Sequence, residues 1–251
     1  MKTSKLARLF IDFPLIKGDK IKLSKEDTHY LIKVMRKKQG NEVLIFNGID
    51  GEWRSTLKIV EKNSVTLEIT DQNRVQDEHN QVWLIFSPIK SPRLNFLIEK
   101  ATELGVAGFI PVITDHTVVD KINFDKIKLW IKEASEQSER ISVPRLESAI
   151  SFKAFIKHWP KERKIVLCDE TEKSKRITEA FQEIEPGKNF AIMIGPEGGF
   201  SDSERQVLQN LPYVISAQIG PRILRSETAP LAALSSFQCN FGDWNKGPRT
   251  N

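Results

Sequence analysis

Ile194-Gly195-Pro196-Glu197-Gly198-Gly199-Phe200-Ser201 and Ile219-Gly220-Pro221-Arg222-Ile223-Leu224-Arg225-Ser226-Glu227-Thr228-Ala229 decide how this chain reads. Each follows a short apolar, β-branched run (Phe190 to Ile194, Tyr213 to Ile219) and leads into a helix-like pattern. In open α/β sheets, ligands sit at the carboxyl ends of the strands. Glycine there permits a sharp turn and a close approach to the backbone amides. Two Gly-Pro turns of this kind in one sheet predict a pocket shared between them. A pair of ordinary strand-to-helix turns has the same spacing.

Outward from these loops, strands and helices alternate. Val82 to Phe86 reads as a buried strand and Arg93 to Leu104 as a helix with Leu94, Leu97, Ile98 and Ala101 on one face, ended by Gly105. Gly108 to Ile113 is the next strand, and Asp125 to Ser138 the next helix, with Ile127, Trp130, Ile131 and Ala134 inward. Phe152 to Trp159 and Arg176 to Ile184 read as helices flanking a strand at Lys164 to Cys168. Ser201-Asp202-Ser203-Glu204 has capping-box spacing and opens a helix that stops by Pro212. Thr228 to Phe241 reads as the last helix, with Pro230 in its first turn. Repeated βα units predict a mostly parallel sheet with helices on both faces.

The first quarter has a different rhythm. Arg8 to Phe10, Lys20 to Leu23, Glu42 to Phe46, Glu52 to Val60 and Ser64 to Thr70 read as short strands, with a turn at Asn47-Gly48-Ile49-Asp50-Gly51. Ser24 caps a helix over Asp27 to Met35, whose apolar surface comes from Leu31, Ile32, Val34 and Met35. The result is a small β-barrel-like domain, 1–72, joined by a polar linker at Asp71 to Gln81 to an α/β domain, 73–251.

The net charge of +5 is uneven: residues 1–72 hold 14 Lys/Arg against 10 Asp/Glu, leaving 24 against 23 for the rest. A basic first domain suits a polyanion. Lys33, Arg36, Lys37 and Lys38, beside His29 and Tyr30, form a cationic and aromatic patch fit for phosphate contacts and base stacking, or a solvated helix end. Cys168 and Cys239 lie far apart in apolar runs, which predicts buried reduced thiols and a cytoplasmic setting. No apolar run approaches the ~18 residues of a membrane span.

Several chemistries are absent from the pattern. His29, His79, His116 and His158 are scattered, without metal-ligand spacing. There is no Gly-x-Ser-x-Gly elbow, Walker loop or Gly-x-Gly-x-x-Gly fingerprint.

The two loops together resemble the signature pair of the 16S ribosomal RNA (uracil-N3)-methyltransferase family, the small subunit methyltransferase E group of the SPOUT class. Lys100-Ala101-Thr102-Glu103-Leu104-Gly105-Val106, Glu136-Gln137-Ser138 ahead of Val143-Pro144, and His29-Tyr30-Leu31 leading to Val34-Met35-Arg36 fit the same family in the same order. The resemblance implies a PUA-like barrel followed by a SPOUT-type parallel sheet whose chain end threads a trefoil knot, a rare exception to chain topology. It implies S-adenosyl-L-methionine as methyl donor, no metal, 16S ribosomal RNA of the small subunit as substrate, and a homodimer. It places the cofactor against Leu167, Ile194, Gly195, Pro196, Glu197, Gly198, Gly199, Ile219, Gly220 and Leu224, and RNA against Lys33, Arg36, Lys37, Lys38 and Arg140. Two departures stand out: Ile219 replaces a common leucine, and Glu139-Arg140 stands where glycine is frequent.

Uracil N3 carries a weakly acidic proton that must leave before the nitrogen can attack a methyl group. Arg225, with Arg222 nearby, offers a cation for the resulting imide anion, and Glu227 a carboxylate that takes the proton or orients Arg225. Salt bridging for the arginines and a helix-start role for Glu227 are the structural alternatives. Because N3 lies on the Watson–Crick edge, the target base must be unpaired or flipped out. Ribose 2′-O or guanine N1 methylation, and non-catalytic RNA binding during subunit assembly, are the competing functions.

Overall fold

The computed structural model describes residues 6–61, 64–76, 82–119, 121–169 and 174–244. The chain separates into two compact units, Met1–Glu78 with Ser135–Val143, and His79–Ala134 with Pro144–Asn251.

In the first unit, β1 (Ala7–Phe10), β2 (Lys20–Lys22), β3 (Glu42–Phe46), β4 (Glu52–Glu61) and β5 (Ser64–Arg74) form one sheet in the order β1-β3-β4-β5-β2. β1 is parallel to β3 and the other neighbours are antiparallel. Alternation sends Val43, Ile45, Val65, Leu67 and Ile69 into a core shared with Leu9 and Leu31. Register shifts between β4 and β5 mark bulges, which bend a strand. In the Asn47–Gly51 turn, Asn47 Oδ1 accepts from the amides of Ile49 (2.9 Å) and Asp50 (2.7 Å).

Ser24 caps α1 (Lys25–His29) as expected, its Oγ accepting from Asp27 N at 3.0 Å. The helix then widens into a π-helix over Tyr30–Val34. This changes the periodicity, so residues spaced for a 3.6-residue turn no longer share a face. Leu31 is fully buried, but Val34 is 59% exposed and Met35 is exposed too, contrary to the core role expected of them. Arg36 ends the turn at φ 52°, in the left-handed region that favours glycine.

The polar run from Asp71 is not all linker. β5 continues to Arg74, which pairs with Glu52, so the boundary expected at 72/73 falls inside a strand; residues 77–81 lie outside the described ones. The reason is a buried charge cluster. Glu52 Oε2 accepts from Arg8 Nε at 2.6 Å and from Arg74 Nη2 at 2.7 Å, and its Oε1 from Asn73 Nδ2 at 2.7 Å. Burial opposes ionisation of Glu52, but hydrogen bonds from Arg74 and Asn73 and the charges of Arg8 and Arg74 hold its carboxyl below the ordinary value. The other Arg8 nitrogens donate to the carbonyls of Ser135, Glu136 and Arg140, each at 3.1 Å. Segment 135–143 thereby belongs to the first unit. Within it, Glu139 takes φ 58°, the conformation for which glycine is suited.

The second unit holds β6 (Val82–Phe86), α2 (Ser91–Glu103), β7 (Gly108–Ile113), most of α3 (Phe124–Gln137), β8 (Arg145–Leu146), β9 (Ile150–Ser151) and α4 (Phe152–His158). It continues through β10 (Ile165–Cys168), β11 (Lys175–Arg176), α5 (Ile177–Gln182), β12 (Phe190–Ile194), α6 (Asp202–Gln209), β13 (Val214–Gln218) and α7 (Thr228–Asn240). The sheet order is β11-β13-β10-β12-β6-β7-β8, with β9 also on β7, and every pairing is parallel. Ala191 and Met193 pack with Phe155 of α4, Trp159 just past its end, and Leu208 of α6. Phe190, on the other side of the pleat, meets Phe181 of α5 at 5.9 Å and Phe237 of α7 at 4.9 Å. Helices thus cover both faces.

Cys239 is exposed rather than buried. The inward stripe of α7 is Pro230, Ala233, Leu234, Phe237 and Gln238, and Cys239 falls one step past it.

Candidate functional site

The two glycine loops leave β12 and β13 at their carboxyl ends and line one cavity of about 750 Å³ within the second unit. That volume suits a small-molecule ligand. The β-strand order places β10 between β12 and β13, so the end of β10 forms the floor between the loops. Ile194, Gly195, Pro196, Glu197 and Gly199 line the cavity from the first loop, and Ile219, Gly220, Leu224 and Arg225 from the second, together with Arg222.

The glycines serve different needs. A Cβ on Gly195 would stand 3.0 Å from the Phe200 ring, and one on Gly198 would stand 3.3 Å from Cβ of His116. Gly220 sits at φ 112° with open space around its missing Cβ, so its limit is the backbone conformation itself. Gly199 N donates to Pro196 O at 2.9 Å and closes the first loop.

The loop after β7 braces this turn. His116 Nδ1 lies 3.0 Å from Gly198 O and 3.1 Å from Gly199 O; both are acceptors, so Nδ1 carries the hydrogen. Ser201 caps α6 with the expected box, and Ser201 Oγ donates to Asp115 Oδ2 at 2.7 Å while Asp115 N donates to Glu204 Oε1 at 3.0 Å.

At the floor, Leu167 is fully buried and packs in the core, while Cys168 and Asp169 reach the cavity. Cys168, the last residue of β10, points to the face opposite Leu167, and Asp169 lies beyond the end of the strand, at the mouth between the loops. Burial, with the Asp169 carboxylate adding to it, pushes the Cys168 thiol up to about 12, which favours the protonated thiol. Asp169 accepts from Arg205 Nη1 at 2.8 Å and Gln209 Nε2 at 3.3 Å.

Arg225 is exposed at the cavity, and its guanidinium has no ion pair among the described residues. Glu227 precedes α7 without capping it; its Oε1 lies 3.7 Å from Arg93 Nε instead. Gly198 and Glu227 are not among the lining residues. In the first unit, Lys33, Arg36 and Lys38 are exposed and Lys37 half-buried. Arg140 is turned onto its own loop, with Nε donating to Ser142 O at 2.7 Å and Nη2 to Ser142 Oγ at 2.9 Å.

Sequence reasoning missed Arg93, His116, Asp169 and Arg205. Asp169 stands just past a strand's carboxyl end, where such sites form, and that position was a usable signal. His116 had none, because its partners are backbone carbonyls.

The RNA methyltransferase domain family matches residues 76–238, and the RNA methyltransferase PUA domain family matches residues 23–70. A ribosomal RNA small subunit methyltransferase E of Rickettsia conorii is 30% identical over 236 residues, covering 93% of this chain and 96% of that protein. The chain belongs to the ribosomal RNA small subunit methyltransferase E family. A Bacillus subtilis member is 33% identical over 225 residues, covering 84% of this chain and 87% of its own length. The crystal structure of a methyltransferase E from Neisseria gonorrhoeae bound to S-adenosyl methionine superposes with a TM-score of 0.85 at 27% identity, covering 96% of this chain and all of that one. The two glycine loops of this methyltransferase E family member are thus parts of an RNA methyltransferase domain that follows a PUA domain. Among its described residues, no group of three His, Cys, Asp or Glu side chains could hold a metal ion, and no helix is long and apolar enough to cross a membrane.

Proposed function

We propose that the chain transfers the methyl group of S-adenosyl-L-methionine to N3 of one uridine in the 16S ribosomal RNA of the small subunit. The observation that carries this reading is the cavity shared by the two glycine loops, with the Arg225 guanidinium, which has no ion pair among the described residues, at its edge. Apolar Ile194, Ile219 and Leu224 and the backbone of Gly195, Pro196, Glu197, Gly199 and Gly220 suit an adenosyl group, with Leu167 and Gly198 supporting the wall from behind. When bound, the cofactor supplies an electrophilic methyl group on a sulfonium. Arg225 stabilises the uridine imide anion as its charge develops. Glu227 accepts the N3 proton or orients Arg225; among the described residues its ion pair is with Arg93, not with Arg225.

The first unit, from the 1–72 region, grips the RNA backbone through Lys33, Arg36, Lys37 and Lys38, with Arg140 contributing from the 135–143 segment. The 73–251 region carries the chemistry, with its chain end threaded as a trefoil knot. The enzyme works as a homodimer in the cytoplasm, where its ribosomal substrate is found. Mass mapping of 16S RNA and small subunits incubated with labelled cofactor tests the reading. One added methyl at uracil N3 is expected. A methyl on ribose 2′-O or guanine N1 selects a different RNA methylation, and RNA binding without cofactor binding selects a non-catalytic assembly role.

A further inference from the structure

Arg93 stands in the first turn of α2, where the helix dipole favours acids and opposes a cation. No acid occupies that turn, so the helix itself gives no reason for an arginine there. Its partners do. Nη1 lies 3.4 Å from Glu197 Oε1 in the first glycine loop, and Nε lies 3.7 Å from Glu227 Oε1 ahead of α7. One guanidinium therefore reaches both loops from a third element, and it lines the same cavity. The Glu227 side chain is only 13% exposed, so its carboxylate needs a cation close by. Arg225 is two residues away and carries no ion pair among the described residues. Without Arg93, a pair between Glu227 and Arg225 would spend both groups on each other.

We propose that Arg93 is a positioning residue that holds Glu227 off Arg225 and fixes Glu197 at the same point. It serves the rate through Glu227 and cofactor affinity through Glu197. This rests on the methyl-transfer reading above. The fork of an arginine presents Nε and Nη1 in fixed directions to two acceptors, which a lysine's single ammonium does not.

The test is a pair of double-mutant cycles around Arg93→Met, which keeps the apolar stem. Single-turnover methyl transfer is measured at saturating S-adenosyl-L-methionine, and the Kd of the demethylated product by calorimetry. Arg93→Met alone is expected to slow transfer roughly tenfold to a hundredfold, the scale of a misplaced reacting group, and to weaken product binding severalfold. In a Glu227→Gln background the rate loss should vanish while the affinity loss persists; in a Glu197→Gln background the reverse should hold. Arg93→Lys should return part of the rate. Losses that multiply unchanged in both backgrounds, or a wild-type rate in Arg93→Met, overturn the proposal. A wild-type protein that binds cofactor but moves no methyl group removes the enzyme reading first, and this one with it.

Discussion

Arg225→Ala takes away the cation assigned to the uridine imide anion. Because that contact strengthens only as charge develops, the single-turnover rate should fall by a factor of about 10² to 10³, or about 2.7 to 4 kcal/mol. Cofactor affinity should hardly change, and equal losses in both would reassign Arg225 to binding. Glu227→Gln keeps the shape and removes the base, so raising the pH should partly restore the rate as more uridine ionises unaided. A pH-independent loss would leave Glu227 an orienting role, and a normal rate at neutral pH would exclude both. Gly220→Val should abolish cofactor binding measured by calorimetry, because φ 112° is closed to a β-branched residue and the new side chain grows into the open cavity. Residue by residue, the sequence announced the glycines but not their separate reasons. Gly198 is needed because His116 approaches it, and that approach comes from a loop over eighty positions away. Periodicity carries no trace of such a contact.

At the scale of elements, most strands and helices of the second unit were legible because their apolar patterns are strong. β8, β9 and β11 were not, since two residues cannot establish a period. The π-helix escaped for a related reason: its spacing differs from the one used to find helices, and Val34 and Met35 were misplaced as a result. The cationic turn behind it offers a test that separates strain from function. Arg36 in the left-handed region costs roughly 1 to 2 kcal/mol, whereas glycine loses about 0.5 to 1 kcal/mol in chain entropy. Arg36→Gly should therefore raise stability slightly in a denaturant titration while weakening RNA binding. If its guanidinium meets a phosphate, the salt dependence of binding should flatten by roughly 0.7 to 0.9 in slope. A Lys37→Ala, Lys38→Ala variant should flatten it further and leave cofactor affinity unchanged; an unaltered slope would make the cluster a solvated surface.

At the scale of the whole molecule, the two-part organisation was readable from the change of rhythm near residue 80, but the return of 135–143 to the first unit was not. Nothing in that segment's own pattern distinguishes it; the distinction lies in Arg8, more than a hundred residues earlier. Glu52 makes this cluster sensitive to acid. Its folded carboxyl titrates below its unfolded value, so its contribution is present above the unfolded value and is lost as pH falls through the folded one. Glu52→Gln should cost about 3 to 5 kcal/mol at neutral pH, since it strands the buried Arg8 charge, and should make thermal stability less steep in acid. Light scattering should report a dimer at working concentration; a monomer would remove that part of the proposal. The Arg8 cluster also bears on how the protein is made. Nascent chains commonly fold from the amino end as they leave the ribosome. Here the carbonyls that receive Arg8 are translated long after β5 is finished, so the five strands of the first unit emerge with Arg8 still lacking three of its acceptors. The full set of Arg8 acceptors exists only once Arg140 has been made, and by then β6 and β7 of the second unit have been translated as well.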